Sequence, residues 1–170
     1  KGWYYGTMGR TAWVDTSIAS SVPMATDYNN RLLYHETGVD DNATTTTQPI
    51  EAYITSSQFD IDDGYNMSFI WRVLPDVNFT GSTTSNPTMY LTMLPLQNSG
   101  SGYNNPESVA GTNIGTVVRS ATIPVEQFTG QVNTRVRGRQ MSIKASSTAI
   151  GTQWQLGATR IDLRPDGRKS

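Results

Sequence analysis

From Gln131 onward the chain alternates with the period of two that a half-buried strand requires. Val132 and Val136 fall on one face, and Arg135, Arg137 and Arg139 on the other. The phase then changes: Met141, Ile143 and Ala145 carry the apolar row at odd positions, where the arginines had been. A one-residue slip turns a strand inside out unless a bulge absorbs it, and Gly138 sits where that bulge is expected. A second alternating stretch follows. Trp154, Leu156 and Ala158 alternate first, then Ile161 and Leu163 take over between Arg160, Asp162 and Arg164. Pro165-Asp166-Gly167 is turn chemistry and ends the run.

The same pattern divides the rest of the chain. Residues 1–37 predict three short strands, at about 2–7, 10–15 and 31–36, a set that suits a propeller blade or a meander and cannot make a core alone. Residues 38–49, acidic and then Thr-rich, form the expected boundary. Beyond it, Glu51–Ser56 and Met67–Leu74 read as strands, the second stopped by Pro75. Met89–Leu94 is another strand stopped by a proline, and Thr116–Val125 another after a long Gly/Ser/Asn loop at 97–115. No helical period and no internal repeat stand out. The expected architecture is all-β: the end of a propeller-like or meander region (1–48), then an antiparallel β-sandwich (49–170).

Composition sharpens this picture. A chain of 170 residues without cysteine has no disulfide framework or thiolate metal site, and at this length it buries roughly 70% of its unfolded surface without staples. Only 16% of residues are charged and the formal net charge is −1, but the distribution is uneven. Residues 131–170 hold eight Lys and Arg against two acids, net +6, while the first 130 hold five against twelve, net −7. Opposite signs of this kind suit self-association, a polyanion facing the basic part, or pairing within the chain. No apolar run approaches the roughly 18 residues of a membrane span, and no signal peptide is visible. The start at Lys1-Gly2-Trp3, without an initiator methionine and at the edge of an expected strand, is expected of a piece of a longer polypeptide.

Catalytic and metal-binding chemistry finds little support. Asp60-Ile61-Asp62-Asp63-Gly64 invites a calcium-loop reading, but the twelfth position is Trp71 rather than Glu, which favours a strand-end turn. Asp40-Asp41-Asn42 reads as a solvated loop. His35, the single histidine, stands beside Glu36 with no second group nominated for acid–base work. Nucleophile-elbow, P-loop, zincin and CxxC motifs are absent, although carboxylates distant in the chain could still pair as a glycosidase's do. The expectation is a non-enzyme without cofactor or metal. Trp3, Trp13, Trp71, Trp154 and eight tyrosines could line a sugar-binding groove, but alternation with polar residues makes core the default.

The arginines are the strongest signal. Arg135, Arg137 and Arg139 cannot be buried unpaired, since desolvation costs several kcal/mol each. They must face solvent, acids of the same or a neighbouring subunit, or a phosphate backbone. With Arg160, Arg164 and Arg168 they form the candidate set for intersubunit or DNA-channel contacts.

The string RVRGRQMSIK followed by WQLGATRIDLRPDGR resembles the C-terminal end of tail nozzle proteins of short-tailed bacteriophages. WYYGTMGRTAWVD and RLLYHETG resemble the closing part of that family's propeller-like region. IEAYITSSQFDIDDG resembles the segment that opens its final β domain, and Trp71–Asp76 that domain's next strand. The resemblance implies a homohexameric ring at the tail tip of the virion, which retains packaged DNA and passes it during ejection. It implies a portal–adaptor ring and tail fibre or needle proteins as partners, with transient non-specific contact to viral DNA, and brings no catalytic residues. The competing expectation is a carbohydrate- or receptor-binding β-sandwich of a phage tail or capsid decoration, using exposed Tyr and Trp in the long loops, Tyr103 among them.

Overall fold

The computed structural model describes residues 8–61, 65–96 and 120–167. The chain divides into two compact units, residues 1–48 and 49–170. Among the described residues there are strands and no helices, the sheets are built from antiparallel pairings, and no closed barrel or propeller forms.

The first unit is a meander. Strands β1 (Ala12–Val14), β2 (Met24–Thr26) and β3 (Leu32–Tyr34) pair in sequence order. The β2–β3 turn is built by Asp27, whose Oδ1 accepts hydrogen bonds from the amides of Asn29 (2.8 Å) and Arg31 (2.9 Å), while Asn30 takes the left-handed φ of 59° that asparagine tolerates. Asp27 is buried and ion-paired to Arg31. These backbone bonds, the Arg31 amide first, hold its carboxyl below the usual range against the opposing effect of burial. Ala25 is the one buried hydrophobic residue of this unit among those described, and Trp13, Leu32 and Tyr34 are exposed. The stretch between the strands expected at about 10–15 and 31–36 holds β2, a strand too short to show a period. The strand expected at about 2–7 lies outside the described residues. Strands β4 (Asp40–Asp41) and β5 (Gln48–Pro49) make a short ladder where the chain leaves this unit.

The second unit has two larger sheets. The first takes β6 (Ala52–Thr55), β7 (Phe59–Asp60), β10 (Thr88–Leu96), β11 (Ala121–Glu126) and β13 (Gln140–Ser147), in the order β11-β10-β13-β6 with β7 also on β13. The second takes β8 (Ser68–Leu74), β12 (Val132–Gly138) and β15 (Arg160–Pro165), in the order β12-β8-β15. A small ladder joins β9 (Val77–Asn78) to β14 (Gln155–Leu156). Ile70, Val73 and Val136 of the three-stranded sheet share one core with Met89, Leu91, Met93, Ile123, Val125, Met141 and Ala145 of the five-stranded one.

Three expectations change. The phase shift after Gly138 is a corner, not a bulge in one strand. β12 ends at Gly138, Arg139 makes the bend, and β13 begins in the other sheet. Both apolar rows therefore reach the same core, Val136 from one side and Met141 from the other. The bulges lie instead beside Trp71, where the register of β8 shifts against β12 between Asn133 and Val136, and against β15 between Asp162 and Leu163. Second, Pro95 does not stop its strand. Past Met93, β10 pairs only with β13 among the described residues, so the missing amide falls where no second neighbour asks for it. Third, Trp154 and Leu156 do not belong to the last strand. Trp154 packs on the core ahead of β14, and β15 starts at Arg160.

Candidate basic face

The three-stranded sheet turns Ile70, Val73, Val136, Ile161 and Leu163 to the core. Strand alternation then dictates its other face, which carries Arg135 and Arg137 from β12, Arg72 from β8, and Arg160 and Arg164 from β15. Register brings these into rows. Arg137 and Arg164 both stand opposite Phe69, and Asn133 and Asp162 both stand opposite Arg72. The bulge beside Trp71 leaves its ring 40% exposed between the rows.

Neighbours decide which charges remain available. Arg72 is ion-paired to Asp162, reaches the Gln131 side-chain oxygen at 3.3 Å, and lies over the Trp71 ring at 4.6 Å. Arg137 is ion-paired to Asp166 and donates to its backbone carbonyl at 3.0 Å. The Arg164 guanidinium covers Phe69 at 4.9 Å, a cation–π contact in which the edge of the fork stays free to donate. Arg135 and Arg160 are exposed and make no ion pair among the described residues. Five arginines against two aspartates leave this face basic.

Arg139 does not join the row expected of it. At the corner between sheets it is half-buried, its Nε finds no hydrogen-bond partner among the described residues, and its carbonyl accepts from the Ile61 amide at 2.7 Å. Arg168 and Tyr103 lie outside the described residues. The alternation of arginines did not single out Arg72, because it follows Trp71 in an apolar strand. Its signal was the lone Asp162 among the arginines of β15, which register places opposite it.

Elsewhere, His35 accepts a hydrogen bond at Nε2 from Arg10 Nε (3.1 Å) and packs on Trp13, ring centroids 4.6 Å apart. Burial, then the Arg10 charge, pushes its pKa down, while Glu36 and Asp41 oppose this. Asp60 accepts from Gln140 Nε2 at 2.7 Å as the partner in a β7–β13 pair. Among the described residues no three His, Asp or Glu side chains converge as a metal site would need. A shallow cavity of about 210 Å³ is lined by Val77, Asn78, Phe79, Thr80 and Gln127, without a charged group. No family model matches the chain, and no curated protein matches it by sequence.

Proposed function

We propose that the chain is the C-terminal portion of a tail nozzle protein of a short-tailed bacteriophage, a structural component of the virion rather than an enzyme. In this reading the two larger sheets of residues 49–170 form an antiparallel β-sandwich, and residues 1–48 are closing strands of a propeller-like region. Copies assemble in a homohexameric ring below the portal and adaptor, beside tail fibre or needle proteins. The ring retains packaged DNA and contacts it transiently as it leaves.

The observation that carries the reading is the basic outer face. The two blocks behind the family resemblance, Arg135–Gln140 and Trp154–Arg168, supply β12, its corner and β15. They spend four arginines on one exposed sheet face rather than on a core or a cleft. Arginine on a rigid sheet suits carboxylates of a neighbouring subunit or a passing phosphate backbone. Electron cryo-microscopy of particles carrying a C-terminal tag on this chain tests the proposal. Tag density repeated in a ring about the tail axis is expected. Density on peripheral fibres or on the capsid favours a receptor- or carbohydrate-binding module instead, and absence from the particle removes the virion reading.

A further inference from the structure

We propose that the outer face of β12-β8-β15 is the seat for the acidic surface of the first unit, around Glu36 and Asp41, in a second copy of the chain. This deepens the ring reading above and rests on it. On the receiving face, among the described residues, Arg135, Arg160 and Arg164 lack an ion pair, and the Arg164 guanidinium lies over Phe69 at 4.9 Å. Each guanidinium is a planar fork that takes a carboxylate through two parallel hydrogen bonds. Trp71, 40% exposed at the centre, adds the kind of aromatic anchor in which stable protein interfaces are enriched.

The first unit supplies the complement. Its described residues carry Asp15, Asp27, Glu36, Asp40 and Asp41 against Arg10 and Arg31. Asp27 is spent on Arg31, but Glu36 and Asp41 are exposed, Glu36 directly after His35 in the chain and Asp41 near enough to act on the same imidazole. The same unit needs cover. Among its described hydrophobic residues it buries only Ala25 and leaves Trp13, Leu32 and Tyr34 exposed, and a three-stranded sheet without a packed face is marginal in water. Charge and uncovered apolar surface thus occur together on the unit whose sign opposes the arginines. A phosphate backbone would answer the arginines too, but it would leave Trp71 and the exposed Trp13, Leu32 and Tyr34 without an apolar partner.

The test is sedimentation of the 170-residue chain over a range of concentrations, at about 50 mM and about 500 mM salt. Concentration-dependent association that weakens at high salt is expected. The double variants Arg135→Glu/Arg160→Glu and Glu36→Lys/Asp41→Lys should each raise the dissociation constant about tenfold or more, with circular dichroism unchanged. Mixing the two variants should restore association, because the swapped charges then attract. Wild-type chain that stays monomeric at every concentration overturns the contact, as do variants that associate normally or a mixture that is not restored. So does an arginine variant that loses only binding to a short DNA duplex. If the contact fails while the tag still forms a ring at the tail axis, the nozzle reading stands and this interface alone is lost. Association rescued by the charge swap, with the tag off the axis, does the reverse.

Discussion

Arg137 and Arg164 stand in one row of the three-stranded sheet, each directly opposite Phe69 on the strand between them. Like charges flanking one residue would repel across roughly two strand spacings, about 9.5 Å. The row is kept by giving each guanidinium a separate partner. Arg137 turns to Asp166, beyond the end of β15, and Arg164 settles on the Phe69 ring. The face is therefore basic without being a block of bare charge.

The Arg164–Phe69 stack is expected to contribute about 0.5–1 kcal/mol, the range for an exposed cation–π pair. A double-mutant cycle with Arg164→Gln and Phe69→Leu, read by urea unfolding, isolates it from the packing that either change also removes. A coupling energy indistinguishable from zero would mean that the guanidinium lies over the ring without being held by it.

The Arg72–Asp162 pair is one-third exposed on each side and joins β8 to β15. Its coupling should be about 0.5–1 kcal/mol, at the upper end for a surface pair because Trp71 and Gln131 also orient the guanidinium. In about 1 M salt, where the screening length is about 3 Å, most of that coupling should vanish. Persistence of the full value in salt would point to hydrogen-bond geometry rather than charge as its source. Arg72→Ala and Asp162→Ala with the double variant, unfolded in low and high salt, make the comparison.

Strands with one buried face were legible from alternation alone, as at β10, where Met89, Leu91 and Met93 are all buried. The corner at Arg139 was not. A phase change in the apolar row is written the same way whether the strand bulges or crosses to a facing sheet, and only the pairing partners of β12 and β13 distinguish the two. Arg139 was misplaced for that reason. The basic face was half legible: alternation gathered Arg135 with Arg137 and Arg160 with Arg164, but their neighbours Phe69, Trp71 and Arg72 come from a strand some sixty to ninety residues earlier. Register across a sheet is a long-range property, so no local spacing announces it. Short ladders such as β9–β14 and the strand β2 contain too few residues to show any period.

Gly151 should be among the least replaceable glycines. Its φ of 72° is left-handed, and a Cβ there would meet Thr83 Oγ1 at 2.9 Å and the Thr84 amide nitrogen at 3.0 Å. The crowding atoms belong partly to backbone, because the amides of Thr83 and Thr84 both donate to the Gly151 carbonyl, at 2.9 and 3.2 Å. Gly151→Ala is therefore expected to cost about 1–3 kcal/mol. Gly167 also has a left-handed φ, 73°, but a Cβ there would meet nothing within 4 Å among the described residues, so Gly167→Ala should cost about 1 kcal/mol, from backbone conformation alone. Thermal unfolding of the two variants side by side separates crowding from conformation; equal losses would show that the Thr83–Thr84 turn yields freely.

Acid should weaken the first unit in two separate windows. His35 has its pKa pushed below the ordinary 6.5, first by burial and then by the Arg10 charge, so the unfolded chain takes up the proton before the folded one does. Stability is complete above pH 6.5, declines as pH falls from there to the folded pKa, and is level below it. Protonation also removes the Nε2 lone pair that accepts from Arg10. Asp27 acts lower down. Its pKa is held below the ordinary 3.8, so its contribution is present above that value and is lost as pH falls through the folded pKa. As the single histidine of the chain, His35 gives one isolated imidazole resonance, and its titration by nuclear magnetic resonance reads the folded pKa directly. His35→Phe keeps a ring against Trp13 and should flatten the first window without touching the second. A midpoint at or above 6.5 would mean that Glu36 and Asp41 outweigh Arg10 and burial, which would reverse the sign of the first window.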